Sequence, residues 1–284
     1  MAALPLILLS ALLHATWNLL AKRARGGDGF TWLSVTSAAL IATPLAVWPA
    51  HQSGLSLFDP VILFPLVSGL LHVGYFTTLN LAYRHGDLSL VYPLARGSGP
   101  LLAAGVAVIA LGERPSPLGY AGIGAMTLGV LCLTLERSRA VRDQRATAVA
   151  YAISTGAFIA TYTIWDKLAV SQAGLPPVVQ FWGTMVTCAA VLTPWTFRSG
   201  QGVGAALRGQ WLWGILAGAF IAAAYILILT AMVTAQVTVV APAREIGILF
   251  GAIMGHRLLA EGHARQRLAG AALMVLGLTA LAGG

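Results

Sequence analysis

The sequence predicts an all-α membrane protein, with ten transmembrane helices as two inverted five-helix repeats around a central cavity. Three observations predict it. Apolar residues make up 58% of the 284-residue chain and charged residues only 9%, and the mean hydropathy is +0.81. A water-soluble domain carries far more charge, so a polytopic membrane protein is expected. Apolar stretches, each near the roughly 17–25 residues that cross hydrocarbon, recur along the whole chain. Finally, the chain repeats itself. Trp17 and Trp165, Asn18 and Asp166, Arg96 and Arg244, Glu113 and Glu261, Gly122 and Gly270, Met126 and Met274, and Gly129 and Gly277 all stand 148 positions apart.

The first half supplies spans near 3–21, 30–49, 61–83, 88–111 and 117–135. The second supplies spans near 147–169, 177–197, 211–230, 236–257 and 266–282. Each is expected to be helical, because lipid offers no partner to an open backbone group. The first span could pass for a signal peptide. It lacks a basic leader, carries polar His14 and Asn18, and has a repeat counterpart deep in the chain, so a mature helix is expected. Connections are short. The longest polar one joins the halves, which gives a first repeat at 1–135, a connecting loop at 136–146 and a second repeat at 147–284. Five spans per half is an odd number, so the second half is expected to enter the membrane upside down. In an apolar chain such a duplication points to a transporter with its site at the seam of the halves.

The net charge of +8 does not point to nucleic acid. The basic residues fall in short loops, where they set topology. One side collects Lys22, Arg23, Arg25, Arg84, Arg137, Arg139, Arg142, Arg145, Arg198, Arg208, Arg257, Arg265 and Arg267; the other has Arg114, with Lys167 at a helix end. The positive-inside rule then places both termini outside. Cys132 and Cys188 lie in apolar runs with no CxxC or nearby His, and are expected to be small packing residues.

Polar residues inside the spans are the candidates for function. Arg96 and Arg244 are repeat mates well inside apolar runs, and a buried arginine costs at least about 2.5–3.5 kcal/mol on insertion scales. Two readings stand. Either they face a cavity and bind a carboxylate or phosphonate through a planar fork of donors, or each is neutralised by a carbonyl or acid and pins a helix. Pro93 and Pro242 precede them within a turn and are expected to kink their helices. On span one, His14, Trp17 and Asn18 share a face; on span six, Tyr162, Trp165 and Asp166 repeat it. These faces read as a cavity wall, with Asp166 holding an ammonium or a coupling proton and a Trp covering a cation, or as an interfacial aromatic belt. Glu245 is a second candidate for proton coupling. His72 and Tyr75 fall near one face of span three, Tyr92 opens the motif leading to Arg96, and Trp182 and Tyr225 are candidate lining residues on spans seven and eight. Glu113 and Glu261 end their spans beside Arg114 and near Arg257, and read as interface anchors. A small-residue stripe, Gly247, Gly251 and Gly255, reads as helix packing.

Two stretches carry a family resemblance. His14-Ala-Thr-Trp-Asn-Leu-Leu-Ala-Lys22 is answered by Tyr162-Thr-Ile-Trp-Asp-Lys-Leu-Ala-Val170. Tyr92-Pro-Leu-Ala-Arg96, leading to Leu111-Gly-Glu-Arg114 and a Gly-rich span five, is echoed by Ala241-Pro-Ala-Arg244 and Ala260-Glu261. The chain resembles the EamA-like branch of the drug/metabolite transporter superfamily over essentially its whole length. The resemblance implies a ten-helix basket with a cavity lined by spans one, three, four, six, eight and nine, braced by five and ten. It also implies small organic substrates, alternating access, export, and cytoplasmic termini, the last against the charge bias.

The expected function is therefore a secondary transporter of a small polar metabolite (amino acid, related zwitterion or organic anion) in a bacterial inner membrane. Arg96 and Arg244 would meet the acidic group. The alternative is a carrier for a cationic or drug-like compound, with Asp166, Glu245 and the tryptophans dominant. An intramembrane enzyme is the remote alternative, because the sequence has no GxSxG, no HExxH and only scattered histidines. Partners are expected to be a small-molecule substrate and the lipid bilayer, with no nucleic acid, no cofactor and no metal, and the protein is expected to be a monomer.

Overall fold

The computed structural model describes residues 3–23, 28–56, 59–86, 88–134, 142–198, 211–250 and 264–283, apart from the side chains of 22–23, 28, 88–90, 92–93, 133–134, 142–145 and 264–268. Every regular element among them is helical: α1 (Leu4–Arg23), α2 (Asp28–Gln52), α3 (Leu63–His85), α4 (Leu88–Ala110), α5 (Pro117–Thr134), α6 (Arg142–Ser171), α7 (Pro177–Arg198), α8 (Trp211–Thr234), α9 (Val237–Arg244) and α10 (Ala264–Gly283). A 3₁₀ turn, Pro60–Ile62, precedes α3, and Asp59 caps it by accepting from the Val61 N–H at 3.0 Å.

Six of these segments are long and apolar enough to cross a membrane: Leu4–Ala21, Gly29–Gln52, Pro60–His85, Ala146–Ser171, Pro177–Arg198 and Trp211–Thr234. Leu94–Ala110, Pro117–Cys132 and Ala269–Gly283 are shorter apolar helices. Large apolar side chains point outward, with Leu40 68% and Ile109 87% exposed, as suits helices solvated by lipid. The ninth expected span behaves differently. α9 stops at Arg244, Glu245 forms a turn, and helix resumes over 246–250. Pro242 sits three residues before that turn and has no backbone N–H to bond back into the helix.

The chain divides into two compact units, each drawn from both sequence halves. One comprises Pro5–Val73 and Trp165–Thr234. There α2 packs against α7 and α8, and Ser10 of α1 donates to the Ala224 carbonyl of α8 at 2.6 Å. Small residues let these helices touch. A Cβ on Gly218 of α8 would stand 2.7 Å from the Ser34 carbonyl of α2, so backbone packing holds the contact.

The other unit comprises Met1–Leu4, Gly74–Ile164 and Ala235–Gly284. Its core contains the α5–α10 pair, with α9 against α4 and α5. A Cβ on Gly122 would meet the Gly277 carbonyl at 2.9 Å, and one on Gly129 would meet the Gly270 carbonyl at 2.9 Å. These two contacts exchange under the 148-residue offset, so the pair is locally self-complementary. A Cβ on Gly277 itself would lie 2.7 Å from the Met126 amide nitrogen. We expect Gly277→Val to separate α5 from α10 and lower the melting temperature in detergent by several degrees, since overpacking costs about 1–3 kcal/mol. Gly124→Val is the control, because a Cβ there meets nothing within 4 Å.

α4 ends on Gly112, at φ 67°. The Glu113 N–H bonds back to the Ala107 carbonyl at 3.2 Å, a helix stop that needs the left-handed conformation glycine supplies without strain. The turn delivers Glu113 to the start of α9.

Candidate functional site

Three polar constellations emerge, each within one unit. The first joins α4 to the break after α9. Arg96 NH1 lies 3.6 Å from Glu245 Oε1, and the pair is 13% and 6% exposed at the side chains. Among the described residues, Glu245 Oε2 is buried with no hydrogen-bond partner. Arg244 is half-buried beside it on α9. The sequence offered Glu245 as a candidate for proton coupling. The fold pairs it instead with Arg96 on another helix, a relation that spacing along one helix cannot reveal.

The second surrounds Glu113, which is buried. Its carboxylate accepts from the Val237 N–H at 2.7 Å, the Thr238 N–H at 2.9 Å and the Thr238 hydroxyl at 2.8 Å. Gln236, at the N-cap position of α9, makes no side-chain capping bond. Glu113 does that work from a distance, satisfying two N–H groups that the helix leaves open and placing a negative charge at its positive end. The interface-anchor reading missed this task. Its repeat mate Glu261 lies outside the described residues, as do Gly251, Gly255 and Arg257.

The third lies in the other unit and centres on Asp166, which is 1% exposed. Asp166 Oδ1 accepts from the Ser68 hydroxyl at 2.7 Å and from Gln180 Nε2 at 2.7 Å. Its Oδ2 accepts from the Tyr225 hydroxyl. The same hydroxyl lies 3.2 Å from His72 Nε2, while His72 Nδ1 lies 2.8 Å from the Ser68 carbonyl. The His72 and Tyr225 rings meet edge to face at 5.5 Å, and Phe181 lies 5.7 Å from Tyr225. Cys188 donates to the Gly69 carbonyl at 3.3 Å on the flank. Four helices, α3, α6, α7 and α8, thus converge on one carboxylate.

Of the residues expected from sequence, His72, Asp166 and Tyr225 are brought together here. Trp165 is tied nearby, with Nε1 donating to the Phe64 carbonyl at 2.9 Å and its ring 4.9 Å from that of Phe64. Trp182 donates to Thr43 at 3.0 Å and packs against the buried cluster of Ala46, Leu175 and Val179. On α1, Trp17 Nε1 donates to His14 Nδ1 at 3.2 Å, Asn18 bonds the His14 carbonyl at 2.7 Å, and Trp17 packs on Ala217 and Phe30. In the other unit Tyr75 and Tyr162 meet edge to face at 6.2 Å. The Tyr92 side chain is outside the described ones. Ser68 and Gln180 went unmentioned at the level of sequence. Ser68 stands four residues before His72, on the same face of α3, and Gln180 is a lone amide in an apolar span; both were visible signals.

The profile of the EamA-like transporter family matches the chain twice, at residues 1–135 and 146–283. A search of the curated proteins gives no match. Among solved structures, one described as a crystal structure of a protein aligns with a TM-score of 0.77 at 17% identity, over 98% of this chain and 96% of that one. That likeness speaks to the fold alone.

Proposed function

The chain belongs to the EamA-like transporter family, and we propose that it is a secondary transporter moving a small zwitterion or organic anion, of the amino-acid class, across a bacterial inner membrane. It is a multi-pass helical membrane protein of a transporter family. We take the mechanism to be alternating access by a monomer built from two inverted five-helix repeats. The twofold match of the family profile and the reciprocal glycine contacts of α5 and α10 support the repeat.

One observation carries the substrate class. At the break after α9, Arg96 NH1 lies 3.6 Å from Glu245 Oε1, and Glu245 Oε2 is buried with no donor among the described residues. An orphan buried acceptor costs free energy. An ammonium group would satisfy it, and a carboxylate on the same small molecule would engage guanidinium, which takes carboxylates in bidentate fashion. Breaks in membrane helices are where such transporters bind solutes.

The test is a thermal-shift screen in detergent with L-amino acids, dicarboxylates and quaternary ammonium compounds, followed by flux in vesicles. The expected result is a shift with amino acids that Glu245→Gln and Arg96→Lys each remove. Shifts confined to the quaternary ammonium compounds would overturn the substrate class and favour the cationic alternative.

A further inference from the structure

The hydrogen-bond geometry around Asp166 points to a proton relay, Asp166–Tyr225–His72, that holds one exchangeable proton and makes the proton the coupling ion. This deepens the transporter reading and rests on it for the coupling alone. The argument is a count of hydrogens. His72 Nδ1 faces the Ser68 carbonyl at 2.8 Å, and a carbonyl only accepts, so Nδ1 carries a hydrogen. Two gaps remain: Tyr225 oxygen to Asp166 Oδ2, and Tyr225 oxygen to His72 Nε2 at 3.2 Å. Each needs one hydrogen, and the phenol brings only one. A neutral imidazole protonated at Nδ1 has none to give at Nε2, and an ionised carboxylate has none at all. The contacts therefore close only when one further proton is present.

That proton has two places. On Asp166 Oδ2 it points to the Tyr225 oxygen, and the phenol hydrogen points to His72 Nε2. On His72 Nε2 it points to the Tyr225 oxygen, and the phenol hydrogen points to Asp166 Oδ2. Passage between them breaks one O–H bond at the carboxyl and forms one at the phenol. It then breaks the original phenol O–H and forms N–H at the imidazole. No other reactant is needed. With the proton the three groups together carry no net charge; without it they carry one negative charge. Ser68 and Gln180 fix Oδ1, leaving Oδ2 for the exchange.

Lys167 donates to the Met232 carbonyl at 2.7 Å, and Cys188 to the Gly69 carbonyl at 3.3 Å. His14 on α1 meets Trp17 at 3.2 Å, and His51 and Arg198 stand at the ends of α2 and α7.

Infrared difference spectra of the detergent-solubilised protein between pH 5 and 9 test the relay with no solute present. Wild type should show a carboxylic-acid band and imidazole bands that change together. Asp166→Asn should delete the carboxyl band, and Tyr225→Phe, which removes only the bridging oxygen, should make the two signals titrate apart. A band that survives in Asp166→Asn, or a joint titration unchanged in Tyr225→Phe, overturns the relay. For coupling, the amino acid giving the largest thermal shift is followed in vesicles. One unit of pH gradient should accumulate it about tenfold at one proton per solute, and Asp166→Asn should lose that accumulation. Accumulation indifferent to the gradient overturns the coupling. If no amino acid shifts the melt, the substrate reading fails, while the infrared result still decides the relay.

Discussion

Glu245→Leu alone should cripple the protein, and adding Arg96→Met should restore its fold but not its transport. The single change leaves the Arg96 guanidinium buried without its carboxylate, 3.6 Å away in the native protein. Breaking a buried pair from one side costs about 3–5 kcal/mol, because the survivor keeps its desolvation penalty. Replacing both partners with apolar groups of similar volume removes that penalty and is often neutral or stabilising. Melting curves in detergent should therefore fall for each single variant and recover in the double. Flux separates the two readings that the sequence left open. A structural lock predicts that the double variant transports normally. A substrate contact predicts flux below a hundredth of wild type despite the recovered melt, since two charge-assisted contacts at about 1.5–3 kcal/mol each are gone. Normal flux in the double variant would remove Arg96 and Glu245 from the site.

Much of the fold was legible because membrane solvation is a coarse and strict rule. Lipid forces backbone groups to pair within a helix, so hydropathy alone placed α1 to α8 and α10 within a few residues of their ends. Helix α9 escaped that rule. Its apolar run continues past Arg244, and only the three-dimensional context shows that the helix yields at Glu245 after Pro242. The sites were legible in part. Buried charge is expensive in lipid, so Arg96, Arg244 and Asp166 stood out against their apolar neighbours. Their partners were harder to see, because pairing across helices depends on packing angles and on which faces meet. Asp166 gathers Ser68 from 98 residues away and Tyr225 from 59, and no spacing rule reaches so far. Glu113 shows the same limit. A carboxylate at the end of one span caps another helix 124 residues on, whereas local sequence offered only the adjacent Arg114 as a reason for it.

Removing that cap should be nearly as damaging as breaking the ion pair, and by a different route. In Glu113→Ala the N–H groups of Val237 and Thr238 lose their acceptor, both residues being fully buried. The Gln236 side chain makes no capping bond that would replace it. Each orphaned donor costs about 1–3 kcal/mol, so roughly 2–6 kcal/mol of stability should go. Glu113→Gln keeps one acceptor oxygen and the side-chain length, so it should retain part of the effect while losing the favourable charge at the helix start. Hydrogen exchange reads the mechanism directly. The Val237 and Thr238 amides should exchange faster in Glu113→Ala, whereas those of α5 keep their protection. Function should follow stability here, because α9 is a short helix, Val237–Arg244, and its far end presents Arg244 and Glu245. A start that frays within one turn of a two-turn helix displaces the end that carries the charges. Wild-type exchange at Val237 and Thr238 in Glu113→Ala would mean that another group caps α9, and that Glu113 is the interface anchor its position beside Arg114 first suggested.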